Sequence, residues 1–181
     1  MQNELIIAGF GGQGVLTAGQ FLSYAAMDAG LQVTWIPSYG PEMRGGTANC
    51  SVIVSDEEIG APMVGRPKAA IALNRPSLDK LEPLVKPGGV LVINSSMVDR
   101  AAVRTDITVV NVPATEISEE LGDRRVSNMV VLGALLANLE MVPLQALKDA
   151  IKAHTPERHQ RLVPMNLLAI ERGAEYVAVK A

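Results

Sequence analysis

The run Glu4-Leu-Ile-Ile-Ala8, followed directly by Gly9-Phe-Gly-Gly-Gln-Gly14 and then by Val15-Leu-Thr-Ala-Gly-Gln-Phe-Leu-Ser-Tyr-Ala-Ala26, decides the fold. A short apolar strand, a glycine-rich turn and a helix-like stretch, in that order, aim backbone N–H groups and a helix N-terminus at an anion. The glycines fit G-x-G-x-x-G at Gly9, Gly11 and Gly14. Such positions serve a tight turn, the approach of a phosphate to the backbone, and close helix–strand packing. The same glycines could also serve packing alone.

Working outward, the second strand reads Gln32-Val-Thr-Trp-Ile36 and runs into Pro37-Ser-Tyr-Gly40. A dinucleotide-binding unit carries an Asp or Glu at that strand's tip for the ribose hydroxyls. None is there, and the nearest carboxylate, Glu42, already lies in the Gly/Pro-rich loop Pro37–Gly46. This disfavours a free-standing Rossmann-type nucleotide-dependent oxidoreductase. Further strands are expected at Thr47–Ser55, Ala69–Leu73, Val90–Asn94 and Asp106–Val112, all rich in apolar residues. Helices are expected from Pro76, at Thr115–Leu121, Ser127–Leu139 and Leu144–Ala153, and from Pro156 to Arg172 with a kink at Pro164. Thr155 before Pro156 reads as an N-cap followed by proline at the first helical position. Apolar strands alternating with helices predict an α/β fold: an open, mostly parallel sheet with helices on both faces, a Rossmann-like three-layer sandwich. One domain over residues 1–181 suits the length.

Met129, Val130, Val131, Leu132, Leu135, Leu136 and Leu139 make the Ser127–Leu139 helix apolar nearly all round. Such a helix is buried from every side, either as a central core helix or with one face reserved for a partner chain. The second alternative motivates an expected homodimer of the isolated chain.

Hydrophobic residues make up 48% of the chain but aromatics only 3%, so the core is aliphatic, as in sheets covered on both faces. The net charge of −3 comes from 16 basic and 19 acidic residues without long blocks, which gives no nucleic-acid footprint. Cys50 is the only cysteine and His154 and His159 the only histidines. An iron–sulfur cluster takes about four cysteines, and a zinc site several such ligands, so neither is expected here. No apolar run reaches membrane-spanning length and no signal peptide opens the chain, so a cytoplasmic protein is expected, with Cys50 packing as a small hydrophobe.

The two glycine-rich segments together are more specific than either alone. Gly9-Phe-Gly-Gly-Gln-Gly-Val15 and then Tyr39-Gly-Pro-Glu-Met-Arg-Gly-Gly46 resemble the gamma subunit of the 2-oxoacid:ferredoxin oxidoreductases, which include the pyruvate, 2-oxoglutarate, branched-chain 2-oxoacid and indolepyruvate enzymes. The resemblance extends through Lys86-Pro-Gly-Gly89, Asn111-Val-Pro113 and Asn128-Met-Val-Val-Leu-Gly133. It implies a multi-subunit enzyme that makes acyl-CoA, carbon dioxide and reduced ferredoxin from a 2-oxoacid and coenzyme A. It also implies that thiamine diphosphate and iron–sulfur clusters reside on alpha, beta and ferredoxin-like delta subunits, with ferredoxin reached through the complex. The chain has no thiamine-type GDG…NN pattern, since Gly122-Asp123 is followed by Arg124. By itself it is therefore expected to be inactive and to hold no cofactor, with no catalytic residue and no metal ligand. Its role would lie on the coenzyme A side.

Within that reading, Gly9, Gly11, Gly12, Gln13 and Gly14 are the candidates to hold a phosphate of coenzyme A. Gln13 could donate an amide hydrogen bond or be a solvent-facing turn residue. Arg44 could pair a phosphate or a partner carboxylate, or simply Glu42 in its own loop. Asn74 and Ser95 follow the ends of two strands, the edge where open α/β sheets bind ligands, or are ordinary caps. A purely structural adaptor, whose glycine loops bind nothing, is the remaining alternative.

Overall fold

The computed structural model describes residues 1–39 and 47–179. Six strands, β1 (Gln2–Phe10), β2 (Gln32–Tyr39), β3 (Thr47–Ser55), β4 (Ala69–Ala72), β5 (Val90–Asn94) and β6 (Thr108–Val112), form one sheet in the order β2-β3-β1-β4-β5-β6. β1, β4, β5 and β6 run parallel, and β3 lies antiparallel between β1 and β2. The reversal follows from chain length. Residues 40–46 are too few for a crossover, which takes a dozen or more, so β2 and β3 pair as a hairpin with Gln32 opposite Ser55.

Among the described residues, six α-helices accompany the sheet: α1 (Val15–Asp28), α2 (Arg75–Leu81), α3 (Ala114–Glu120), α4 (Ser127–Asn138), α5 (Leu144–His154) and α6 (Val163–Ala178). Strand alternation sorts the side chains into two cores. Leu5, Ile7, Val52, Ile71 and Val92 face the larger one, built with α1, α3, α4, α5 and α6. Ala8, Ala70, Ala72, Leu91 and Ile93 face a smaller one, closed by Leu78 and Leu81 of α2 and by Val98, Ala102 and Ile107. The three layers are thus unequal, with five helices on one face and one on the other.

α4 is a core helix of its own chain: Asn128 through Leu136 are all buried. It packs against α6, α3, α1 and the sheet. Gly133 and Gly173 let the backbones of α4 and α6 touch. A Cβ at Gly133 would lie 2.1 Å from the Ile170 carbonyl oxygen, and one at Gly173 would lie 1.9 Å from that of Val130.

Two expectations at the C-terminal end are corrected. The segment after Pro156 is a 3-10 stretch, Glu157–Leu162, and Pro164 sits in the first turn of α6 instead of kinking a longer helix. A proline is tolerated there because that N–H has no partner within the helix. Thr155 ends α5 rather than opening a helix, and its hydroxyl donates to the Ile151 carbonyl at 2.6 Å. Among the described residues, no helix is long and apolar enough to cross a membrane.

Candidate functional site

α1 leaves β1 on the face of the larger core, and α2 leaves β4 on the other, so the chain changes direction between β1 and β4. In open α/β sheets the crevice beyond the carboxyl ends of strands at such a point receives ligands. Here side chains fill that crevice. The Gln13 carbonyl oxygen Oε1 accepts from the Phe10 backbone N–H at 2.6 Å and from Nδ2 of Asn74 at 3.1 Å. Its Nε2 donates to the Leu73 carbonyl at 3.2 Å. Gly9 makes room for this, since a Cβ there would stand 2.8 Å from Gln13 Oε1.

Asn74, 1% exposed, is also the N-cap of α2, accepting from the Ser77 N–H at 2.9 Å. Gln13 and Asn74 therefore staple the loops after β1 and β4 together. Ser95 is exposed at the start of a 3-10 turn. The neighbouring Asn94 is the buried residue, accepting from the Ala114 N–H at 3.1 Å and donating to Thr115 Oγ1 at 3.0 Å. Arg44 lies outside the described residues.

The open space lies beside the staple. A cavity of about 340 Å³ is lined by Phe10, Gly12, Gln13, Met97, Thr115, Arg124, Arg125 and Ser127. Of the residues singled out in the sequence, Gly12 and Gln13 line it; Gly9 supports Gln13, Asn74 anchors the loop, and Gly11 lies within the same turn. Gly12 has φ +92° and empty space where a side chain would go, and Gly14 has φ +73°.

Two helices begin at this cavity. α1 starts after Gly14, and Ser127 is the first residue of α4. Neither helix has a side-chain N-cap or an acidic residue in its first turn. This leaves the α1 end without a carboxylate, whereas α4 continues from a 3-10 turn, Arg124–Val126, that Asp123 caps. Asn128 joins them by donating from Nδ2 to the Gly14 carbonyl at 3.0 Å.

The two arginines differ. Arg125 forks onto Asp123, with Nε and Nη2 at 2.9 and 2.8 Å from its two oxygens. These hydrogen bonds draw the Asp123 carboxyl down to about 2. Among the described residues, the Arg124 side chain makes only long contacts, 3.6 Å to Glu119 and 3.8 Å to the Met97 sulfur, and it is 64% exposed. Sequence reasoning passed over Arg124, Arg125, Thr115 and Ser127. The signal was present as an arginine pair, Asp123-Arg-Arg-Val-Ser127, at the entry to the most apolar helix.

The other candidate chemistry is absent from this cavity. Cys50 is fully buried, with Sγ 3.5 Å from the Val15 carbonyl. Burial pushes its thiol up to about 12, against smaller opposing effects of Trp35 and the Gly19 backbone. A thiol so held is a core residue and does not suit an iron–sulfur cluster, which needs thiolates. His154 and His159 line a separate groove, where His154 stacks on Tyr24 with ring centroids 4.3 Å apart and meets Asp28 at 2.8 Å.

Residues 4–176 match the family described as pyruvate ferredoxin/flavodoxin oxidoreductase. The chain belongs to this family. Among the oxidoreductase family's members, it is 41% identical over 171 residues to the ketoisovalerate oxidoreductase subunit VorA of Methanothermobacter thermautotrophicus, covering 94% of this chain and 35% of that protein. The chain thus spans about a third of the length of this curated relative. The gamma subunit of a keto/oxoacid ferredoxin oxidoreductase from Geobacter sulfurreducens superposes with a TM-score of 0.82 at 31% identity, over 99% of both chains. The 2-oxoglutarate:ferredoxin oxidoreductase of Magnetococcus marinus, solved with 2-oxoglutarate, coenzyme A and succinyl-CoA bound, contains the same fold. Its TM-score is 0.85 at 24% identity, over 97% of this chain and 31% of that one.

The sheet order also departs from that of the dinucleotide-binding fold. The dinucleotide-binding fold pairs its second strand parallel to the first, which brings an acidic tip beside the phosphate turn. Here antiparallel β3 occupies that place, and β2 lies one strand further out.

Proposed function

We propose that this chain is the gamma-type component of a multi-subunit 2-oxoacid:ferredoxin oxidoreductase and forms the coenzyme A side of its site. The complex converts a 2-oxoacid and coenzyme A to acyl-CoA and carbon dioxide, and passes two electrons to ferredoxin. Thiamine diphosphate, which supplies the decarboxylation chemistry, and the clusters that carry electrons belong to alpha, beta and delta subunits of a cytoplasmic complex. The observation that carries this reading is the cavity beside Gly12 and Gln13, where a glycine turn leading into α1 meets Arg124 and Arg125. This chain's residues bind and orient the phosphate-bearing end of coenzyme A, leaving its thiol to reach a partner's reacting centre. The expected homodimer drew on the apolar α4, which is internal, and the reading does not require it.

The test is reconstitution. The purified chain, given a 2-oxoacid, coenzyme A and a viologen acceptor, should show no turnover. Added to a complex depleted of it, the chain should restore coenzyme A-dependent acyl-CoA formation. Turnover by the chain alone, or full activity of the depleted complex, would refute the assignment.

A further inference from the structure

Arg124 and Arg125 are adjacent in sequence and line the same cavity, yet they are engaged very differently. Arg125 has its fork filled by Asp123, in near-ideal two-point geometry. Arg124 approaches one carboxylate at 3.6 Å and a thioether at 3.8 Å, both beyond a good charge-assisted hydrogen bond. Its guanidinium thus stands at the cavity with most of its donor capacity available.

The same cavity is lined by Gly12, where a Cβ would meet nothing within 4 Å, and by the hydroxyl-bearing Thr115 and Ser127. Thr115 Oγ1 is fixed by Asn94, so this side of the cavity is set by a buried hydrogen bond and not by a loose surface chain. The space, about 340 Å³, suits one end of a larger ligand rather than the whole of it.

We propose that Arg124 is the residue that takes a phosphate of coenzyme A, and that Asp123 serves by occupying Arg125, which holds the turn that presents Arg124. This rests on the coenzyme A reading above. The ligand chemistry is a phosphate ester or pyrophosphate, which a planar guanidinium binds through two parallel N–H donors. Lysine would supply the charge without the fork.

The test uses the assembled complex. Arg124→Gln should raise the KM for coenzyme A roughly ten- to a hundredfold, the range for losing a hydrogen bond to a charged group, while the KM for the 2-oxoacid stays unmoved. Arg124→Lys should fall between the two. Comparing coenzyme A with its 3′-dephospho form separates the phosphates. If Arg124 takes the 3′-phosphate, the variant should bind both forms alike; if it takes the pyrophosphate, both forms should weaken together. An unchanged KM in Arg124→Gln overturns this inference. If Gly12→Val still raises the KM for coenzyme A, the wider reading stands, whereas if neither variant moves it, that reading fails too. A variant that no longer assembles with its partner subunits would assign Arg124 to a protein carboxylate and also overturn the inference.

Discussion

The Asn128 side chain is pressed against Gly14: its Nδ2 donates to the Gly14 carbonyl at 3.0 Å, and a Cβ on Gly14 would lie 2.4 Å from that same nitrogen. The first turn of the core helix α4 therefore fixes the end of the glycine loop, and the left-handed Gly14 leaves no room for any other residue. Gly14→Ala should cost about 2–4 kcal/mol, from the strained φ and the overpacking together. Asn128→Ala should cost about 1–2 kcal/mol through the lost hydrogen bond. Urea unfolding of the two variants checks both values, and equal stability with wild type would show that the contact does not matter.

The α4–α6 contact gives a second expectation. Alanine is the better helix former by about 1 kcal/mol, yet Gly173→Ala should destabilise because its methyl group would enter the Val130 carbonyl. Leu136→Asp, which puts a carboxylate into the core of α4, should unfold the chain rather than yield a folded monomer. Circular dichroism with sedimentation distinguishes these outcomes. A folded Leu136→Asp chain that fails to assemble would return α4 to an interface role.

Glu82, 3% exposed, pins the segment between β5 and β6. Its carboxylate accepts from the Val103 and Arg104 N–H groups at 2.5 and 3.0 Å and from Arg100 Nη1 at 2.8 Å. Burial raises its pKa, but these hydrogen bonds outweigh burial and hold it below the ordinary 4.5. A lowered folded pKa gives stability that is present above the unfolded value and lost as pH falls through the folded one. Glu82→Gln should therefore be less stable than wild type at pH 7, by about 2–4 kcal/mol. The gap should narrow as pH drops below about 4. Thermal melts across that range measure it, and a gap independent of pH would remove Glu82 from the account.

Much of this was legible in the sequence, for reasons tied to particular residues. The apolar runs at Ala69–Leu73 and Val90–Asn94 carry strand identity, because both faces of those strands are covered. Alternation carries no direction, so the reversal of β3 shows in the sequence only through the shortness of the 40–46 connection. At the site, the turn Gly9–Gly14 was visible because glycine has a local signature. The Gln13–Asn74 staple and the shared cavity of Gly12 and Arg124 were not, because they bring together positions 61 and 112 residues apart and exist only once the sheet is ordered. The strand bounds Val90–Asn94 are the same in sequence and structure. They do not show that Asn94 turns inward onto Ala114 and Thr115 while Ser95 is left exposed, because those partners lie 20 and 21 residues further on.

The central claim is that coenzyme A is held at the glycine loop of this chain, and its affinity for the assembled complex tests that most directly. Gly12→Val introduces a β-branched side chain at φ +92° and projects it into the open cavity. Equilibrium titration of coenzyme A into the wild-type and variant complexes, each verified for full subunit content, should show binding weakened by about tenfold or more in the variant. Unchanged affinity in a correctly assembled Gly12→Val complex would contradict the account and leave the chain as an adaptor.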